Sequence, residues 1–186
     1  MTKTHSIGLV VGKFWQPHRG HQLLLETAAA QVSELVVLVY ANPDSATQPA
    51  AVRAQWLREL YRGDELTAGP RIGTTPLRIF ALSAEADEVP PDAADDYTQR
   101  EFVRQWLAQQ AIKVDVVFSS EAYGPGFAEH LGVPHTAVDG PPAGTGFGHA
   151  GTWQSGGFCA IPAPVGGGAA GRGAATNGAL RGIFGG

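Results

Sequence analysis

Residues 7–26 read IGLVVGKFWQPHRGHQLLLE, and the order of residue types in this stretch decides the fold. Residues 7–11 form an apolar, largely β-branched run that is typical of a buried strand, and the run ends at Gly12. From His21 onward, leucine and alanine recur at helical spacing. A strand, a glycine-containing turn and a helix N-terminus direct backbone N–H groups and the positive end of a helix dipole at one place. The stretch therefore predicts a phosphate-binding site.

The residues of this turn indicate what is done with the phosphate. His18 and His21 bracket Gly20, so both imidazoles can face the same anion, and Lys13 supplies a positive charge on the preceding loop. The stretch contains no covalent nucleophile, and the one cysteine, Cys159, is distant in sequence. The predicted chemistry is a phosphate that is held, oriented and neutralised. The alternatives are a helix cap plus a surface histidine, or half of a metal site.

Residues 12–28, GKFWQPHRGHQLLLETA, resemble the G-x-F-x-P-x-H-x-G-H signature of the nucleotidyltransferase superfamily, which has a Rossmann-like fold. Within it, the stretch is most similar to the nicotinamide-nucleotide adenylyltransferase domain of NadR-type proteins. The positions that carry the resemblance follow an apolar strand and are Gly12, Phe14, Pro17, His18, Gly20 and His21.

The resemblance implies transfer of AMP from ATP to nicotinamide mononucleotide, which yields NAD and pyrophosphate. His18 and His21 would hold the triphosphate, Lys13 would draw the two anionic substrates together, and Gly12, Phe14 and Gly20 would line the nucleotide site. Mg²⁺ is expected to enter on the phosphate oxygens of ATP. Other acceptors, namely pantetheine phosphate, FMN or a sugar phosphate, remain alternatives, as does a non-catalytic nucleotide-binding remnant.

Strand and helix patterns alternate along the chain. Strands are predicted at 7–11, 34–40, 77–82, 114–118 and 133–139, helices at 21–32, 49–61, 98–107 and 126–131, and a loop at 63–75. A Thr98-Gln-Arg-Glu101 capping box opens the third helix. This alternation predicts an α/β fold with a Rossmann-like parallel sheet and flanking helices, whose ligands lie beyond the carboxyl ends of the strands. The stretch 12–21, Asn42 and residues 119–123 all fall at those ends.

Further site residues are suggested by the resemblance. Arg53 lies in a segment where the family has an arginine before an aromatic-leucine pair, so it would either orient its helix or bind a phosphate. The S-S-E-x-Y-G stretch of NadR-type domains matches residues that would enclose adenosine, namely Ser119, Ser120, Glu121 and Tyr123. Trp106 fits the core better than a ring contact, whereas Trp15 is a candidate for one.

Length and charge limit the remaining function classes. The 186 residues suffice for one domain with a tail, and a net charge of −4 without a basic stripe argues against nucleic acid as a partner. No apolar run is long enough for a membrane span, and one cysteine excludes an internal disulfide. We expect a cytoplasmic protein and leave a homo-oligomer open.

The composition changes abruptly after Asp139. Sixteen of the 25 glycines lie beyond it, and Asp, Glu and Lys are absent there. The resemblance also stops there, because the family's second signature, P-[IV]-S-x-T-x-[IV]-R-x-x-P, is missing. We therefore divide the chain into a nucleotidyltransferase domain, 1–139, and a largely disordered Gly/Ala/Pro-rich tail, 140–186. Residues 166–173, GGGAAGRG, lack the G-K-[ST] ending of a kinase phosphate loop.

A shift of reading frame explains the break. When codons are read one base forward, the second letter of each existing codon becomes the first letter of a new codon. For residues 145–155, TGFGHAGTWQS, these new first letters allow the peptide Pro-Val-Ser-Gly-Thr-x-Val-Arg-Gly-Asn-Pro. This peptide matches every anchored position of the missing signature. We therefore expect that the tail is an out-of-frame translation that starts near Gly140.

Overall fold

The computed structural model describes residues 3–41, 48–63 and 69–138. In chain order, its elements are β1 (His5–Gly12), α1 (Arg19–Gln31), β2 (Val32–Val39), α2 (Ala50–Leu60), β3 (Arg71–Ile72), β4 (Thr75–Ala81), α3 (Asp96–Gln109), β5 (Val116–Ser119), α4 (Gly124–Leu131) and β6 (His135–Ala137). The strands form one sheet in the order β3-β4-β2-β1-β5-β6.

All neighbouring strands of the sheet run parallel except the β3–β4 pair. Strand order reverses at β1, because β2 and β4 follow on one side and β5 and β6 on the other. In open parallel sheets, the ligand crevice lies at such a reversal, beyond the carboxyl ends of the strands. The fold is thus Rossmann-like, and it confirms the predicted class.

The sheet is buried on both faces, because its strands are apolar at consecutive positions. Val10 and Val37 point into a core formed with α1 and α2, whereas Leu9 and Val36 point into a second core formed with α3 and α4. Trp106 lies in the second core, with its ring edge against Phe80 at a centroid distance of 5.0 Å. The structure therefore gives Trp106 the packing role that its helical spacing predicts.

Two local expectations were wrong. Residues 63–75 were expected to be loop, but Arg71 and Ile72 form β3, a two-residue antiparallel partner of β4. The third helix begins earlier than its capping-box pattern suggests, because the Asp95 carboxylate accepts the Thr98 backbone N–H at 2.9 Å and is the N-cap. Glu101 instead accepts hydrogen bonds from Arg104 and Gln105.

Within the described residues, no helix is long and apolar enough to cross a membrane. The predicted tail, 140–186, lies outside the described residues, so its separation from the domain stays a prediction.

Gly8 offers a test of the sheet packing. A Cβ at this position would lie 2.8 Å from the Val32 side chain and 2.9 Å from the Phe118 ring. We expect Gly8→Ala to lower the free energy of unfolding by about 1–3 kcal/mol in urea denaturation, since these rigid neighbours must move. The matched control is Gly126→Ala in α4, whose added Cβ meets only the flexible Arg100 guanidinium. Equal losses in both variants would contradict this account of the sheet.

Candidate functional site

The loop between β1 and α1 has an unusual backbone. Phe14 and Gln16 have φ angles of 48° and 57°, in the left-handed region that non-glycine residues rarely adopt. The G-x-F-x-P-x-H-x-G-H signature has its proline at the position of Gln16, so Pro17, counted among the positions that carry the resemblance, lies one residue out of register. A proline at 16 could not adopt that φ angle. The loop therefore departs locally from the signature and stores strain of the kind that collects at functional sites.

Phe14 holds this loop against the core. Its side chain is 1% exposed, and its ring lies 4.9 Å from the His21 ring between centroids. A Cβ on Gly12 would come within 3.1 Å of the same ring. Both residues were expected to line the nucleotide site; in the structure the Phe14 ring packs against His21, and Gly12 packs against the Phe14 ring.

His18 is the N-cap of α1. Its backbone is extended, and its Nδ1 atom accepts the Gly20 backbone N–H at 3.1 Å. A Cβ on Gly20 would lie 2.9 Å from His18 Cε1 and 3.0 Å from Nδ1, so only glycine allows the ring to fold back over the helix end. This explains in steric terms why a glycine separates the two histidines.

His21 stacks on His18, with ring centroids 3.8 Å apart and planes inclined by 27°. Burial, and secondarily the neighbouring His18, lowers the pKa of His21 from 6.5 to about 3. Burial also lowers the pKa of His18. Both rings are therefore neutral at physiological pH, and an anion would meet them as N–H donors rather than as cations. Within the part of the chain that the structure describes, the buried His21 Nδ1 atom has no hydrogen-bond partner.

Arg53 connects three segments at the carboxyl edge of the sheet. Its side chain is 1% exposed, and its guanidinium donates to the Lys13, Tyr40 and Gln48 carbonyls, the last two at 2.9 and 2.8 Å. These carbonyls follow β1, follow β2 and precede α2. Of the two roles expected for Arg53, its contacts support the orienting one.

Lys13 and Asp92 form an ion pair at the mouth of the site, with Nζ 2.7 Å from the carboxylate. Asp92 belongs to the segment between β4 and α3, and further hydrogen bonds connect this segment to the carboxyl edge of the sheet. The Gln99 amide donates to the Pro91 carbonyl at 2.8 Å and accepts the Tyr40 hydroxyl at 3.0 Å. The lysine charge that would meet a phosphate thus already faces a carboxylate.

The β5–α4 turn is the second segment of the candidate site at this edge of the sheet. Ser119 is 2% exposed, and its hydroxyl lies 2.9 Å from His135 Nε2 and 3.2 Å from the Glu121 carbonyl. A Cβ on Gly124 would overlap both the serine hydroxyl and the imidazole. The Ser119 side chain is therefore packed inside the turn, where it leaves no room for a side chain at position 124.

Tyr123 connects this turn to the first strand. Its hydroxyl donates to the Val11 carbonyl at 2.8 Å, which connects the β5–α4 turn to the end of β1. Burial raises the pKa of Tyr123. Ser120 and Glu121 are exposed on the same turn, and Asn42 lies outside the described residues. The structure thus brings the β1–α1 loop and the β5–α4 turn together, as expected of two segments at neighbouring strand ends.

Sequence reasoning missed two residues that contact the expected ones. No motif in the sequence singled out Asp92 or His135. Their partners, Lys13 and Ser119, are 79 and 16 residues away in sequence. Only the fold brings these residues together.

The described residues contain no group of three His, Cys, Asp or Glu side chains that could hold a metal ion. The residues that are present can bind a phosphate through neutral imidazole donors, one ammonium group and a helix N-terminus.

Comparison with known proteins shows a relative but no matching family model. The chain is 27% identical over 146 residues to the trifunctional NAD biosynthesis/regulator protein NadR of Escherichia coli, a match that covers 72% of this chain. NadR of Salmonella typhimurium matches to the same extent. The chain spans about a third of the length of these curated relatives, since the match covers 33% of each.

Solved structures resemble the chain more loosely. A NadR protein in complex with NR is 15% identical with a TM-score of 0.48, and the match covers 72% of this chain and 37% of that one. A bifunctional NMN adenylyltransferase/ADP ribose pyrophosphatase of Francisella tularensis, complexed with AMP and a manganese ion, is 14% identical with a TM-score of 0.43. That match covers 75% of this chain and 38% of the other.

Replacing Arg53 tests its orienting role. We expect both Arg53→Met and Arg53→Lys to lower the free energy of unfolding by about 2–5 kcal/mol in urea denaturation, because neither side chain can bond three carbonyls. Arg58→Met on the same helix is the control, since Arg58 donates to one backbone carbonyl, that of Ile79. A full rescue by lysine would mean that only the charge matters.

The lowered pKa of His21 gives a pH dependence of stability. Below pH 6.5 the unfolded histidine takes up a proton, whereas the folded one does so only near pH 3. The free energy of unfolding should therefore fall as the pH decreases from 6.5 toward 3, by at most about 1.4 kcal/mol per pH unit. His21→Asn should remove this part of the slope when urea denaturation is compared at pH 7.5, 6.0 and 5.0. Identical slopes in the two proteins would show that His21 titrates normally.

Proposed function

We propose that the chain is a nucleotidyltransferase of NAD biosynthesis that transfers AMP from ATP to nicotinamide mononucleotide and releases pyrophosphate. The observation that carries the proposal is the stacked His18–His21 pair at the N-terminus of α1, where strand order reverses. The similarity to NadR over 72% of the chain supports it. The expectation of a cytoplasmic protein rests on composition alone and stays a prediction.

The proposed chemistry requires positioning more than proton transfer. The acceptor's 5′-phosphate is already an anion, and it attacks the α-phosphorus of ATP while the bond to pyrophosphate breaks. His18 and His21 donate hydrogen bonds to the triphosphate and stabilise the charge that develops at the α-phosphorus. Lys13 leaves Asp92 to bridge the two anionic substrates. No general base is needed, so the neutral state of both histidines is compatible with this reaction.

The second signature completes the proposed site. Val138 donates its backbone N–H to the Ser119 carbonyl at 2.9 Å, so the described chain ends at the carboxyl edge, close to the β5–α4 turn. The residues encoded next in the shifted frame would start from this edge, and the signature arginine that this frame allows would be among them. We therefore propose that the shifted frame encodes the native continuation of a domain that comprises 1–139.

The experiment compares two versions of the protein, the chain as given and a chain restored to the other frame beyond Asp139. Pyrophosphate release and NAD formation are measured with ATP and nicotinamide mononucleotide. We expect the restored chain to be at least about 100-fold faster, because removing one well-placed donor costs about two to three orders of magnitude. Restored chains carrying His21→Asn should lose a comparable factor.

The other outcomes identify the alternatives. Equal activity in the two versions would contradict the role given to the second signature. Turnover only with pantetheine phosphate, FMN or a sugar phosphate would keep the transferase and change the acceptor. ATP binding without dinucleotide formation in either version would identify a nucleotide-binding remnant.

A further inference from the structure

His18 does something that a phosphate-binding histidine need not do, because it caps its own helix. Side-chain caps normally come from Ser, Thr, Asp or Asn, whose oxygen accepts a backbone N–H. Here the acceptor is the Nδ1 atom of an imidazole, 3.1 Å from the Gly20 nitrogen. The first turn of α1 contains no acidic side chain to share this task.

This hydrogen bond determines where the proton of the ring lies. A backbone N–H can donate to Nδ1 only if Nδ1 carries a lone pair, so the proton of the neutral ring must lie on Nε2. Protonating Nδ1 as well would break the cap and add a positive charge at the positive end of the helix dipole. The cap therefore disfavours both the other tautomer and the imidazolium ion.

We propose that the N-cap bond of His18 fixes the ring as its Nε2–H tautomer. The imidazole then presents its Nε2–H to a bound anion, in place of a backbone N–H of the helix N-terminus. The Gly20 N–H, which would otherwise be directed at the anion, polarises the ring through Nδ1, and the Nε2–H takes its place. His18 is thus a binding residue whose helix positions its proton. The tautomer and the cap stand on the geometry alone, whereas the effect on catalysis rests on the proposed function.

His21 provides an internal contrast. Its Nδ1 atom is buried and has no hydrogen-bond partner among the described residues, so none of them selects a tautomer for this ring through Nδ1. The two stacked histidines therefore differ in how their protons are held, although they are three residues apart and share one face of the helix end.

The direct test is long-range ¹H–¹⁵N correlation spectroscopy of the histidine rings in the full-length protein at pH 7.5. His18 is assigned as the ring whose signals disappear in His18→Asn. We expect an unprotonated Nδ1 and a protonated Nε2 in His18. A proton on Nδ1, or averaging between the two tautomers, would overturn the proposal whatever the protein's activity.

Two substitutions separate the cap from the donor. His18→Asn keeps a cap acceptor in its side-chain oxygen but cannot reach as far as Nε2, whereas His18→Ala loses both. We expect His18→Asn to melt near the wild-type Tm and His18→Ala to melt about 2–4 °C lower than His18→Asn. Equal Tm values for the two variants would overturn the capping role.

The same pair is then assayed for pyrophosphate release in the chain restored beyond Asp139. Both variants should be about 100-fold slower than the unsubstituted restored chain, because both lack the Nε2–H donor. Wild-type rates in His18→Asn would overturn the outward donor role. If no acceptor is turned over by the unsubstituted chain, the proposed function fails, and the spectroscopic and melting results still decide the cap.

Discussion

The Arg53 guanidinium, buried among three backbone carbonyls, fixes the geometry on which the candidate site depends. It donates to carbonyls that follow β1 and β2 and to one that precedes α2, at places where the strand hydrogen bonds have ended. Buried carbonyls need partners, and a planar group with five donors can serve several at once. The loop that carries His18 is therefore positioned by a residue whose guanidinium is bonded to backbone carbonyls.

The electrostatics of the site follow from its partial burial. Two stacked imidazoles would repel each other if both were charged, and burial keeps them neutral. The positive charge of Lys13 is balanced by Asp92 at 2.7 Å. Under the proposed function, part of the binding energy of an anion would go into separating this ion pair.

The sequence was informative where local pattern and burial agree. Apolar runs located the five parallel strands, and the glycine between two histidines located the helix N-terminus. It could not indicate the left-handed backbone of Phe14 and Gln16, because neither residue type favours it. The start of α3 was misplaced because Asp95 and Thr98 are both residue types that cap helices. In the structure, the Asp95 carboxylate accepts the Thr98 backbone N–H, so the helix begins after Asp95. The Lys13–Asp92 and Ser119–His135 contacts depend on the tertiary fold.

The two left-handed residues also bear on how the molecule folds. Phe14 and Gln16 each have a backbone conformation that costs about 1–3 kcal/mol in isolation, so the loop does not adopt it on its own. Arg53 can donate to the three carbonyls near the loop only after β1, β2 and α2 have packed together. We therefore expect the loop to reach this conformation only after these elements have packed together. Under the proposed function, an anion bound at this loop would stabilise its strained conformation.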